Sequence, residues 1–165
     1  MVKLIAAVSH GDVIGQAGRL PWPTFPKDMA HFKEVTQGHV VIMGRKTWES
    51  LPASVRPLPG RQNVVLTRDR DYKAEGALIG YTLTMAIQEA EERWPDRDLF
   101  IIGGREIYEQ AAYLVDELII THIDKQCEGD TVFPVSLTHW EVYRQEDTVD
   151  KGVILSFRWY RRKDG

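Results

Sequence analysis

The stretch that most constrains the fold runs from Leu20 to Phe32 and reads LPWPTFPKDMAHF. Pro21, Pro23 and Pro26 hold its first half extended, because proline fixes its own φ and pushes the preceding residue out of the α region. A helix can begin only where they end. The pattern predicts one from Lys27 to Gln37, with Gly38 as its left-handed stop. Asp28, Phe32 and Val35 then fall on one stripe, at i, i+4 and i+7. Asp28 is the misfit on that stripe. A carboxylate turned inward costs several kcal/mol if unpaired, roughly, so it needs a partner or a task. The first turn of a helix favours an anion, and the plain alternative is that Asp28 bends outward to water.

The rest of the chain supplies a sheet for that helix to pack on. Leu4 to Val8 is an uninterrupted apolar run, as expected of a central strand buried on both faces. It ends in a segment from Ser9 to Trp22 that contains Gly11, Gly15 and Gly18, too many glycines for a helix. We read that segment as a mobile loop, more in keeping with a lid than with filler. Val40 to Met43 is a second apolar run, followed by Gly44 and a helix from Arg45 to Leu51. Leu99 to Ile102 repeats the arrangement, followed by Gly103-Gly104 and a helix from Arg105 to Ala112. A helix N-terminus offers unpaired N–H groups and partial positive charge, and glycine lets a ligand approach the backbone. The two units together suggest a pyrophosphate cradle, with Arg45 and Lys46 adding charge, although either alone is also what a tight strand-to-helix turn requires.

RPLPGR, from Arg56 to Arg61, is a rigid turn that presents Arg61 ahead of a strand from Asn63 to Leu66. Thr82 caps an amphipathic helix that carries Leu83, Ala86, Ile87 and Ala90 on its core face and ends at Pro95. Glu117 to Ile123 is another strand, and Trp140 to Gln145 with Val153 to Tyr160 form a closing antiparallel pair around Asp150, Lys151 and Gly152. Trp94, Trp140, Phe157 and Trp159 are assigned to the core. The expected fold is a three-layer α/β domain spanning 1–165, with a mostly parallel central sheet of about eight strands, an antiparallel C-terminal hairpin and about four helices.

Several function classes are excluded. The 165 residues carry 21 basic and 24 acidic side chains, a net charge of −3, with no long run of either sign, which argues against nucleic acid or a membrane surface as the main partner. The longest apolar runs, about five residues, fall far short of the roughly 20 that a membrane helix needs. Cys127 is the single cysteine, and no leader pattern opens the sequence, so a reducing, cytoplasmic setting is expected. The five histidines, at 10, 31, 39, 122 and 139, have no metal-ligand spacing, and no nucleophile elbow surrounds Ser9 or Ser50. Neither G-x-G-x-x-G nor G-x-x-x-x-G-K-[ST] occurs, so a dinucleotide fold here is not the usual Rossmann one.

Taken in order, LIAAV at Leu4 to Val8, VIG at Val13 to Gly15, LPW at Leu20 to Trp22, D-x-x-x-F at Asp28 to Phe32, VIMGRKTWES at Val41 to Ser50, RPLPGR, IIGG followed by IY, and THID with EGDT and FP between Thr121 and Pro134 resemble the bacterial-type dihydrofolate reductases. The resemblance implies hydride transfer from NADPH to dihydrofolate by a monomer that binds no nucleic acid and no membrane. It implies that Asp28 grips the two-donor edge of the pterin, that Thr121 bonds to Asp28, that Trp22 holds a water, that Leu20 caps the nicotinamide and that Tyr108 lies beside it. Ile5, Ala7, Met29, Phe32, Leu51, Leu58 and Ile102 would form an apolar slot, with Arg61 clamping the carboxylate of the substrate's tail. For the cofactor it implies Ala7, Ile14, Gly15, Gly18, Arg19, Leu20, Gly44, Arg45, Lys46, Thr47, Leu66, Thr67, Arg68, Gly103, Gly104, Arg105, Glu106, Ile107, Tyr108 and Thr131. Arg45, Thr67 and Arg68 would meet the extra phosphate of NADPH, and Gly103-Gly104 would be joined by a cis peptide. No metal is implied. The chain departs from the family pattern in an extra residue between Trp22 and Asp28, in the longer segment Pro52 to Val55, and in Arg105 where a third glycine is common. The competing readings are a reductase of a pyrimidine intermediate, against which Asp28, Phe32 and Arg61 argue, and a catalytically silent dinucleotide-binding module, which needs no buried acid.

Overall fold

The computed structural model describes residues 1–15 and 22–163. The apolar runs become strands: β1 (Val2–Val8), β2 (Val13–Gly15), β3 (Val40–Gly44), β4 (Gln62–Leu66), β5 (Leu78–Gly80), β6 (Leu99–Gly103), β7 (Glu117–Ile123), β8 (Thr131–Val132), β9 (Trp140–Asp150) and β10 (Val153–Arg162). The helices are α1 (Pro26–Thr36), α2 (Arg45–Ser50), α3 (Leu83–Arg93) and α4 (Arg105–Ala111). Eight strands form one sheet in the order β5-β4-β3-β6-β1-β7-β10-β9. Pairing is parallel from β5 to β7, and β10 returns antiparallel between β7 and β9. The mostly parallel sheet, the four helices and the closing hairpin agree with the sequence expectation.

The period of two along each strand divides the core into two clusters. Leu4, Ala6, Ile42, Ile101 and Ile120 join Ala86 and Ala90 of α3 and Tyr108 and Ala111 of α4. Ile5, Val41, Met43, Phe100, Ile119 and Phe157 face the other way, toward Trp48 of α2, with Phe32 and Val35 of α1 packed against them. Helices on both faces of the sheet make the three layers. Burying side chains on both faces is why the central strands read as continuous apolar runs.

Local differences from the sequence reading have simple causes. The α1 helix starts at Pro26, one residue earlier than expected, because proline is pre-organised for the first helical position and its missing N–H is not needed there. It ends at Thr36, and Gly38 takes the left-handed conformation at φ 81°. The loop after β1 contains structure of its own: a 3₁₀ turn at His10–Asp12, then β2, which pairs with β8. Such two- and three-residue strands leave no periodicity to read. The segment 16–21, where a lid was expected, lies outside the described residues. Lys151 and Gly152, at φ 50° and 76°, make the tight turn between β9 and β10.

Candidate active site

In an open parallel sheet the ligand crevice lies at the carboxyl ends of the strands, where the chain reverses direction along the sheet. Here that point is the β6–β1 pair. From β1 the chain crosses α1 to β3 on one side, and from β6 it crosses α4 to β7 on the other. The β1–β6 ladder stops at Leu4 opposite Ile101. Beyond it the strands are bridged by a side chain: the Tyr108 hydroxyl lies 2.9 Å from the Ile5 carbonyl and 3.0 Å from that of Ile102, and donates its proton between them. Tyr108 is buried, its ring edge-on to Phe133, and burial pushes its phenol well above the usual range. It stays a neutral donor.

Asp28, the third residue of α1, points at the sheet. Thr121 Oγ1 on β7 donates to its Oδ1 at 2.8 Å. Thr121 is 2% exposed and stands opposite Ala7 of β1. Removal from water raises the Asp28 carboxyl above its ordinary value, and the bond from Thr121 draws it part of the way back. The outward-bending alternative is therefore excluded. On the face of the sheet that α1 covers, Ile5, Trp22 and Leu58 are buried in one cluster, and Ala7, Phe32, Leu51 and Ile102 pack against it while only partly covered. Met29 is 60% exposed and belongs to neither cluster, so the structure does not bring it together with the rest of the predicted slot.

Arg61 is held over this face by residues that the sequence reading passed over. Its Nη1 donates to Thr36 Oγ1 at 3.2 Å, its Nε donates to the Pro59 carbonyl at 2.9 Å, and its guanidinium lies 5.8 Å from the Phe32 ring centre. Asn63 closes the turn from beneath, accepting from Leu58 N–H at 2.8 Å and donating to the carbonyls of Leu58 and Arg61 at 3.0 and 3.1 Å. A lone amide at the start of an apolar strand was the available signal for Asn63. Thr36 gave none, since threonine near a helix end is common.

The two glycine-led helix starts lie side by side, because Met43 pairs with Gly103 across adjacent strands. A side chain on Gly44 would press on Ile107 Cγ1 at 3.2 Å, and one on Gly103 would meet Thr47 Oγ1 and the Tyr108 hydroxyl at 3.4 Å. Gly103, at φ 128°, adopts a conformation that only glycine takes readily, and the Gly103–Gly104 peptide is cis as expected. Arg45 and Lys46 open α2, with Arg45 Nη1 2.9 Å from Glu49 Oε1, while Tyr72 donates to the other Glu49 oxygen at 2.9 Å. Leu66 is buried at the end of β4, Thr67 donates its backbone N–H to the Gly80 carbonyl, and Arg68 is exposed. On α4, Arg105 pairs with Glu109 at 3.3 Å on the outer surface, Glu106 is exposed and Ile107 is half-buried against the core. Thr131 pairs with Gly15 across β2 and β8, and Ile14 packs on the cluster beneath α3 and α4. Gly18, Arg19 and Leu20 lie outside the described residues. Among the described residues, no three side chains group as a metal site.

A switch point at the centre of a parallel sheet, with paired glycine-led helix starts on one side and a half-buried carboxylate on the other, is the arrangement of an α/β enzyme with a nucleotide-type cradle beside a buried acid. The family model for dihydrofolate reductase matches residues 1–162, and the chain belongs to that family. The dihydrofolate reductase of Neisseria meningitidis serogroup A is 45% identical over 167 residues, covering 98% of each chain. That of Mycobacterium tuberculosis is 41% identical over 143 residues, 85% of this chain and 84% of the relative. Dihydrofolate reductase type 3 of Salmonella typhimurium is 40% identical over 152 residues, 91% of this chain and 90% of the relative. A solved dihydrofolate reductase from Enterococcus faecalis, complexed with NADP(H) and RAB-propyl, superposes with a TM-score of 0.87 at 32% identity, covering 99% of this chain and 97% of that one. The chain is thus an NADPH-dependent oxidoreductase of this family.

Proposed function

We propose that the chain reduces 7,8-dihydrofolate to 5,6,7,8-tetrahydrofolate, with Asp28 both anchoring the pterin and promoting its protonation. The observation that carries this reading is the Asp28–Thr121 pair, a half-buried carboxylate with one oxygen already held at 2.8 Å and an apolar surface around it. A carboxylate accepts two parallel N–H bonds, matching the exocyclic amine and ring N–H of a pterin edge. With the ring held there, Asp28 lies on the edge away from the imine nitrogen. It cannot hand over the proton directly, and instead stabilises the positive charge that the ring acquires when that nitrogen takes a proton from water.

The glycine cradle fits NADPH. Side chains at Gly103 or Gly104 would fill the space beside Thr47, one at Gly44 would press on Ile107, and the neighbouring α2 carries Arg45 and Lys46 at its first turn. NADPH, when bound, supplies the hydride. Arg45, Thr67 and Arg68 would hold its extra phosphate, Tyr108 fixes the splayed strands beneath, Trp22 would order a water and Arg61 would clamp the carboxylate of the substrate's tail. Ile5, Ala7, Phe32, Leu51, Leu58 and Ile102 would exclude water from the ring. Residues 1–165 act in this reading as one domain and a cytoplasmic monomer; among the described residues no helix is long and apolar enough to cross a membrane.

The test is turnover of Asp28→Asn, followed by the loss of reduced-nicotinamide absorbance. The hydride step should slow by roughly 10²–10⁴ near neutral pH, the usual worth of assisted proton transfer, and recover partly in acid. Normal turnover at pH 7 overturns the role given to Asp28.

A further inference from the structure

The α1 helix brings a second polar side chain into its seam with the sheet. The His31 imidazole lies flat on Phe157, with ring centres 4.0 Å apart and planes 20° from parallel. Trp159 closes on its edge at 5.5 Å and 88°. His31 Nε2 is buried there with no hydrogen-bond partner among the described residues. Leaving such a buried nitrogen unpaired is unfavourable, so the stack is held against a penalty.

Strand register gives the position its meaning. Phe157 on β10 is the cross-strand partner of Thr121 on β7. Thr121 holds Asp28 and Phe157 holds His31, and those two residues are three apart on α1, one above the other on the same face. The helix therefore docks on the β7–β10 pair at two adjacent points, in addition to its apolar contacts through Phe32 and Val35. Phe25, at the N-cap of α1, is buried in the same cluster, and Phe32 packs against it while only partly covered.

We propose that His31 is a positioning residue for the proposed reaction: its stack on Phe157 and Trp159 fixes the rotation of α1 and keeps water out of the seam, so setting the aim and the hydration of the Asp28 carboxylate. This rests on the reading of Asp28 given above. The charged groups around the ring are compatible with a neutral stack. Glu34 lies on the same helix, and on β9 Arg144 sits 4.2 Å over the Trp159 ring and pairs with Glu146 at 2.6 Å, while β10 contributes Phe157 and Trp159 and β7 contributes Thr121. Burial lowers His31 below its ordinary value despite the two glutamates, which keeps the ring uncharged near neutral pH.

The experiment follows the Asp28 carboxyl by carbon NMR of aspartate-labelled, ligand-free protein through a pH titration, with the resonance assigned by Asp28→Asn. The wild-type midpoint should lie above the ordinary carboxylate value. His31→Ala should bring it down as water reaches the carboxylate, and should raise KM for dihydrofolate by roughly tenfold, with kcat less affected, as expected of a small misplacement of a binding group. His31→Phe restores the ring and should restore both. If His31→Ala does not fold, His31→Leu serves, since it also lacks the stack. An unmoved midpoint and KM in the folded variant, even with a lower melting temperature, would leave His31 a purely structural residue and overturn the proposal, as would failure of folded His31→Phe to rescue. Because the midpoint is read without substrate, that outcome in a wild type that reduces dihydrofolate removes the role of His31 alone, whereas a wild type that does not reduce it removes the reading of Asp28.

Discussion

Thr121→Val isolates the bond on which the site depends. Valine keeps the β-branched shape at a position that is 2% exposed and replaces the donor by a methyl group, so packing and strand propensity change little. What is lost is the 2.8 Å bond to Asp28 Oδ1. A hydrogen bond to a charged group is worth about 1.5–3 kcal/mol, and the lower end applies because Asp28 is only half-buried and water can partly replace the hydroxyl. For a chain of this size, about 1.5 kcal/mol corresponds to roughly 3–6 °C in melting temperature. Burial already holds the Asp28 carboxyl above its unfolded value, so its ionisation takes stability away as pH rises through the folded midpoint. Thr121 favours the ionised form, and removing it lifts the midpoint further. The difference between wild type and variant should thus be full at neutral pH and fade in acid, where both carboxyls are protonated. Thermal melts at a series of pH values read this directly. On the proposed function, kcat/KM at neutral pH should fall by about tenfold, the rate equivalent of the same energy. Equal losses at neutral and acid pH, or none, would show that the bond does not stabilise the carboxylate.

Two further perturbations address the cofactor side and the β7–β10 pair. Arg45→Gln removes a guanidinium whose Nη1 is occupied by Glu49 at 2.9 Å, leaving the rest of its fork for phosphate; the ratio of kcat/KM for NADPH to that for NADH should fall by roughly 10- to 100-fold, and an unchanged ratio would remove Arg45 from the phosphate site. His122, bonded to the Tyr160 hydroxyl at 2.7 Å, is pushed down to about 4, first by burial and then by Arg158. The unfolded chain then binds this proton more readily than the folded one, so stability should drop as pH falls from the ordinary value of 6.5 toward 4. In His122→Asn that part of the acid loss should disappear from denaturant titrations.

How far the site could be read in the sequence depended on how local its signals were. Asp28 stood out because a charge on an apolar stripe violates a periodicity that neighbouring residues define. Gly44 and Gly103-Gly104 stood out because each separates an apolar run from a helical pattern. Neither signal needs knowledge of what lies across the sheet. Thr36 and Asn63, which hold Arg61, act through contacts 25 and 5 residues away, and His31 takes its meaning from Phe157, far along the chain. For Thr36 and His31 no local window contains both partners, and for Asn63 the window contains them but not the turn that joins them. The short strands β2, β5 and β8 were missed because their alternation is too brief to distinguish from loop, and they exist through pairing with β8, β4 and β2.

The same division explains why the site sits where it does. Period-two alternation sends Ala7, Ile102 and Thr121 of three adjacent strands to the face that α1 covers, and sends Ala6, Ile101 and Ile120 to the face packed by α3 and α4. A one-residue slip in any of the three would exchange that strand's faces, and a slip in β7 would turn Thr121 away from Asp28. The continuous apolar runs make either face acceptable to the core, so hydrophobicity alone does not choose the register. Polar exceptions within those runs do. Lys3 reaches Asp98 at 3.1 Å and Glu117 at 3.4 Å at the amino ends of β1 and β7, and Thr121 reaches Asp28 near their carboxyl ends. With the amino ends of β1 and β7 tied by Lys3 and Glu117, and β7 tied to α1 by Thr121, the bond to Asp28 helps to specify the face that β7 presents.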